Sequence, residues 1–204
     1  MGKSALVLGA TGVVGRELVR ELCESPGYDE VEAWARREIG FCHPELRARI
    51  VDFEGISDIA PHKFDEIFCA LGTTMKQADS HEVFLRVDVD HVYAAAKWGK
   101  APGVRRFVLV SSPGANEGSL SFYLRAKGQI ERRVSELGFD SLQIVRPPLI
   151  LGERSDTRLL ERLAAAVFKL LPACVLGKFK PLSGASSVRD DKCGSQRRAR
   201  RANL

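Results

Sequence analysis

Apolar positions along the chain alternate between short unbroken runs and stretches of helical period. The first run, Ala5-Leu6-Val7-Leu8, ends at Gly9 and has the pattern of a strand buried on both faces. Val14, Leu18, Val19 and Leu22 then recur along one helical face. Further strands are expected at Val31–Ala35, Ala48–Val51, Glu66–Leu71, Arg106–Val110 and Leu142–Val145. Helices are expected over about residues 79–98, 120–137 and 157–171, the second closed by Gly138 as its C-cap. Strands and helices that alternate in this way predict an α/β fold, with a parallel sheet and helices on both faces.

Between the first strand and its helix stands Gly9-Ala10-Thr11-Gly12-Val13-Val14-Gly15. Glycine at position 9 suits a sharp strand-to-helix turn, at 12 it lets the main chain approach a diphosphate, and at 15 it lets the helix lie close to the sheet. The start of the helix then offers free N–H groups and a partial positive charge. Placed after a strand and before a helix, the motif points to nucleotide binding.

Charge changes the picture only at the end of the chain. The net charge of +5 is carried by residues 178–204, where eight basic residues face Asp190 and Asp191. Residues 1–177 are therefore close to neutral and read as one NAD(P)-binding domain, with 178–204 as a basic, disordered tail. No aromatic is interleaved among Arg197, Arg198, Arg200 and Arg201, so specific nucleic-acid binding is not expected. Five cysteines without a CxxC pair and no basic-then-apolar leader suggest a cytoplasmic protein. No apolar run reaches membrane-spanning length. His43, His62, His81 and His91 lack metal-ligand spacing; they read as surface or loop residues, and no metal is expected.

In a doubly wound sheet, ligands bind beyond the carboxyl ends of the strands. After the second strand come Arg36 and Arg37 where an acid would select NAD; an arginine fork suits a 2′-phosphate, so NADP is preferred. Asp52-Phe53 ends the third strand in a position suited to adenine, and Leu71-Gly72-Thr73-Thr74 ends the fourth with small residues beside the dinucleotide. The fifth strand ends in Ser111-Ser112, and Tyr123 and Lys127 follow four residues apart, on one helical face. A lysine beside a phenol favours its ionised form, and a serine can orient a carbonyl while tyrosine transfers the proton.

The set Gly9-Ala10-Thr11-Gly12-Val13-Val14-Gly15, Asp52-Phe53, Ser111-Ser112, Tyr123-Leu124-Arg125-Ala126-Lys127 and Arg146-Pro147-Pro148 resembles the extended and atypical branch of the short-chain dehydrogenase/reductase superfamily. Cys69–Thr74, Arg86-Val87-Asp88 and the short gap from Ser112 to Tyr123 are similar to its Tat-interacting-protein-2 type. The resemblance, over about residues 3–172, implies a Rossmann-type sheet of order 3-2-1-4-5-6 and NADP(H) as the preferred cofactor, with NAD(H) as the alternative. It implies Ser112, Tyr123 and Lys127 as the catalytic set, Ser112 being favoured over Ser111. Implied cofactor contacts come from Gly9, Thr11, Gly12, Val13, Val14, Gly15, Arg36, Arg37, Asp52, Phe53, Leu71, Gly72, Thr73, Thr74, Ser111, Tyr123, Lys127, Arg146 and Pro147. Asp88 departs from the pattern, standing where many members have asparagine.

The function this implies is NADPH-dependent hydride transfer to or from a small carbonyl or alcohol, with tyrosine as acid/base. An NADPH-binding regulator without turnover and a sugar-nucleotide epimerase or dehydratase are the alternatives, although little chain remains for the latter's substrate domain. The helices over 79–98 and 121–137 are candidates for pairing in a homodimer.

Overall fold

Six parallel strands form one sheet in the order β3-β2-β1-β4-β5-β6 in the computed structural model, which describes residues 2–147. The strands are β1 (Lys3–Leu8), β2 (Tyr28–Ala35), β3 (Leu46–Ile50), β4 (Glu66–Cys69), β5 (Arg106–Val110) and β6 (Ser141–Val145). The strand order reverses at β1, which pairs in parallel with β2 on one side and β4 on the other. The expected helix over 157–171 and the tail at 178–204 lie outside the described residues.

Alternation along β1 shows why its run is wholly apolar. Ala5 and Val7 join a core cluster with Leu18, Val19 and Leu22 of helix α1 (Val13–Glu24). Leu6 and Leu8 point the other way, into a larger cluster with Phe84, Val92, Ala95, Ala126, Ile130 and Val134. Both faces are covered, so no polar face survives in the pattern. The second cluster is supplied by α4 (Val92–Lys100), α5 (Phe122–Ser135) and the segment before α4. Trp34 of β2 and Trp98 of α4 meet there, ring centroids 4.9 Å apart.

The helix expected over 79–98 is present from His81 to Lys100, as α3 (His81–Leu85), a π-helical segment, Arg86–His91, and α4 in unbroken succession. A separate short helix, α2 (Met75–Ala78), precedes it. The boundary between them is local chemistry: Asp79 takes a left-handed conformation (φ 62°), and the Ser80 hydroxyl accepts the Val83 N–H at 3.1 Å as the N-cap of α3. Strand–helix alternation also fails at two connections. A loop without a helix joins β2 to β3, and only a 3₁₀ turn, Ile56–Asp58, lies between β3 and β4. Gly138 is in the left-handed region (φ 65°), but the C-cap of α5 is Glu136, two residues earlier, because the helix ends at Ser135 rather than 137.

At the amino ends of the strands Glu66 is buried and shared by three partners. Lys3 Nζ approaches its carboxylate at 2.8 Å, Arg106 Nη1 at 3.0 Å, and the Tyr28 hydroxyl donates to it at 2.7 Å. This ties β1, β2, β4 and β5 together at the end opposite the glycine turn. The sheet is thus fixed at one end by charge, leaving the other end for the loops.

Candidate functional site

The glycine turn sits where β1 meets α1. Gly9 has φ 82°, and a Cβ there would stand 2.6 Å from the Ala70 carbonyl oxygen after β4. A side chain at Gly15 would overlap the backbone of Gly9, so α1 packs directly onto the turn. Gly12 differs: it is exposed, with extended backbone. It is the N-cap of α1 without a side-chain cap bond, and the first turn carries no acidic residue. The positive end of α1 is therefore open to an anion. Thr11 and Val14 flank it half-buried, and Val13 is exposed.

Arg36 and Arg37 are both exposed immediately after β2. Asp52 is exposed, its carboxylate accepting the Glu54 N–H at 3.1 Å. The Phe53 side chain is buried in the larger core cluster, so only its backbone is available to an adenine. His91, read from sequence as a surface or loop residue, lies half-buried in the π-helical segment, with Nε2 buried and unpartnered. Burial holds its imidazole below the ordinary value; Arg36 adds to this, while Glu54, Asp52 and Asp90 oppose it. The ends of β2 and β3 and the π-helical segment thus face one another.

Beyond β4, Leu71 is buried and Thr74 caps α2, accepting the Gln77 N–H at 3.2 Å. Thr73 donates its N–H to Asp88 Oδ2 at 2.7 Å. The other oxygen, Asp88 Oδ1, lies 2.7 Å from Lys127 Nζ. That approach is an ion pair rather than an aligned hydrogen bond. Asp88 is fully buried and Lys127 nearly so. Burial pushes the Asp88 carboxyl above the ordinary carboxylate range, and Lys127 and the Thr73 N–H hold it back. A Cβ at Gly72 would stand 3.2 Å from Asp88 Oδ1 and 3.6 Å from Lys127 Nζ.

Lys127 Nζ is also 6.0 Å from the centre of the Tyr123 ring, and that ring packs edge-on to Phe84 at 5.7 Å. Ser111 and Ser112 are both buried at the end of β5. The Ser111 N–H extends the pairing with β6 by donating to the Val145 carbonyl at 2.8 Å, and its hydroxyl has no partner. Gly72, Thr73, Tyr123 and Lys127 therefore come together, joined by Asp88, which the sequence reading marked only as a departure from the family's asparagine. Arg146 is instead engaged with α5: its fork meets the buried Glu131 carboxylate at 2.9 and 2.5 Å, and Pro147 beside it is half-buried. Arg146 thereby tethers β6 to α5. Among the described residues, no cluster of three or more His, Cys, Asp or Glu could hold a metal ion. None of their helices is long and apolar enough to cross a membrane.

A family model described as NAD(P)H-binding matches residues 9–165, from the glycine turn through the Tyr123 helix. The chain belongs to this NAD(P)H-binding family. Among proteins of known sequence, Protein HTATIP2 of Rattus norvegicus is 38% identical over 175 residues, covering 83% of this chain and 72% of that protein. Protein FMP52-1, mitochondrial, of Scheffersomyces stipitis is 36% identical over 190 residues, covering 89% and 83%. Among solved structures, Pen from Bacillus thuringiensis aligns with a TM-score of 0.65 at 14% identity, over 84% of this chain and 67% of Pen. WbmH of Bordetella bronchiseptica in complex with NAD+ gives 0.60 at 17%, over 72% and 57%, and a UDP-galactose 4-epimerase gives 0.58 at 22%, over 70% and 55%. The chain spans little more than half the length of these last two, and at such identities they show the fold. This NAD(P)H-binding chain thus shares its fold with these structures, with the sheet order 3-2-1-4-5-6 that the resemblance implied. Its open α1 N-terminus fits the diphosphate of such a cofactor.

Proposed function

We propose that the protein is an NADPH-dependent oxidoreductase that reduces a small carbonyl compound or oxidises the corresponding alcohol. The observation that carries this reading is the seating of Lys127 of α5 against the Gly72–Thr73 loop, with the Tyr123 ring beside its ammonium, at the same end of the sheet as the uncapped α1 terminus. When bound, NADPH supplies a hydride.

The remaining work falls to the chain's own residues. The N–H groups at the start of α1 hold the diphosphate, and Arg36 and Arg37, exposed beyond β2, clasp the 2′-phosphate that distinguishes NADP. Lys127 holds the ribose hydroxyls next to the nicotinamide. Ser112 orients the substrate oxygen by hydrogen bonding, and Tyr123 gives that oxygen its proton in reduction or takes it in oxidation.

The test is NADPH oxidation against a panel of small aldehydes and ketones, with NADPH binding followed in parallel by fluorescence. Oxidation with at least one carbonyl is expected. Tight binding without oxidation across the panel would refute the enzymatic reading and assign the protein a regulatory role.

A further inference from the structure

His91 Nε2 is buried and meets no hydrogen-bond partner, and an orphaned buried nitrogen calls for one. The residue closes the π-helical segment, a kind of turn that recurs at functional sites. That segment leans on the loop after β3. Arg86 Nη1 lies 3.7 Å from Glu54 Oε1, and Val89 and Val92 share one core cluster with Val51 and Phe53. The charges felt by the imidazole come from the same place, Arg36 after β2 and Asp52 and Glu54 after β3.

His91 therefore looks onto the carboxyl ends of β2 and β3, across the reversal of strand order at β1 from the β4 and β5 ends. A dinucleotide lies over that reversal with its diphosphate at the first helix. With the nicotinamide beside Lys127, the adenosine half falls on the His91 side.

We infer that His91 binds the adenine of the cofactor, its Nε2 accepting one N–H of the exocyclic amine, and so makes adenine the preferred base. This role needs dinucleotide binding and no turnover, and so goes beyond the oxidoreductase reading. The amine carries two N–H groups, and the exposed Asp52 carboxylate at the end of β3 is available to the second. An acceptor nitrogen requires a neutral ring. Burial holds the imidazole below its ordinary 6.5, and Arg36 adds to this, so the ring is neutral at pH 7. Glu54, Asp52 and Asp90 pull the other way, but Glu54 is shared with Arg86, and Asp90 with Arg133 of α5 at 3.2 Å.

Calorimetric titration of the full chain with NADP+ and with its deamino analogue, in which hypoxanthine replaces adenine, tests the assignment. Hypoxanthine has a carbonyl oxygen in place of the amine and offers Nε2 no donor there. The wild type should bind NADP+ more tightly than the analogue. His91→Phe keeps an aromatic ring without the nitrogen, and should shrink that ratio of Kd values about three- to tenfold, the effect of one neutral hydrogen bond. A merely structural role for His91 would weaken both ligands alike and leave the ratio unchanged. NAD+ and deamino-NAD+, which lack the 2′-phosphate, should give the same change in ratio. If His91→Phe does not fold, His91→Leu repeats the measurement. A ratio equal in wild type and variant, with both ligands still bound, overturns the inference. It would leave the oxidoreductase reading standing, since that is decided separately by the carbonyl panel.

Discussion

The three glycines of the turn have different duties, and substituting them one at a time separates binding from folding. Gly12→Ala adds one carbon 3.2 Å from the Gly9 carbonyl oxygen and 3.9 Å from that of Ala70. The backbone there, φ −71° and ψ 167°, suits alanine. A gain of about 0.4–1 kcal/mol from restricting the unfolded chain is offset by mild crowding, so Tm should stay within about 4 °C of wild type. Binding should respond far more, because the added carbon stands on the exposed turn in front of the free N–H groups of α1. Losing one hydrogen bond to a charged phosphate costs about 1.5–3 kcal/mol, or about a ten- to hundredfold weaker Kd. Gly9→Ala is the converse: a left-handed alanine costs about 1–2 kcal/mol, and its Cβ would meet the Ala70 carbonyl at 2.6 Å. Gly9→Ala should therefore lower Tm clearly. Fluorescence titration with NADPH beside thermal melts checks both. A folded Gly12→Ala that binds NADPH as well as wild type would refute the placement of the diphosphate.

Glu66→Ala should cost about 3 kcal/mol, since Lys3, Arg106 and the Tyr28 hydroxyl all lose their buried partner; denaturant melts measure this. NADPH affinity of the folded protein should be unchanged, because the network lies at the opposite end of the sheet. Asp65 accepts the Ser4 N–H at 3.0 Å and the Ser4 hydroxyl at 3.1 Å. Chiefly through the backbone bond, its carboxyl is held below the ordinary 3.8. The folded state thus prefers the ion, so this stability is present above about pH 4 and is lost as pH falls through the lowered value. Thermal melts from pH 5 to 2 should show a smaller acid loss in Asp65→Asn than in wild type. Replacing Arg36 and Arg37 together by alanine should cut the preference for NADPH over NADH at least about tenfold, read as the ratio of the two Kd values.

The strands, the glycine turn and the Tyr123–Lys127 pair were legible because each is written locally, whereas the sheet order came with the family resemblance. An apolar run, three glycines and a four-residue spacing need no partner elsewhere in the chain. What was not legible depends on contacts far apart in sequence. Asp88 meets Lys127 and Thr73 only after the π-helical turn rotates it inward, and no period in residues 79–98 announces that turn. The nearest signal was the resemblance, which put Asp88 where many members have asparagine. Phe53 sits at the expected strand end, yet its side chain faces the core, and Arg146 answers Glu131 fifteen positions earlier. The polar start of β2, Tyr28-Asp29-Glu30, hid three strand residues, because edge-on polar contacts at the amino ends do not follow the apolar pattern.

The central claim, that Tyr123 moves the proton in an NADPH-dependent reduction, is met most directly by Tyr123→Phe. With a carbonyl that the wild type reduces, the variant should still bind NADPH in the fluorescence titration. Its turnover should fall by about 10²–10⁴. Turnover retained at the wild-type level in that variant would contradict the assignment of Tyr123 as the proton donor.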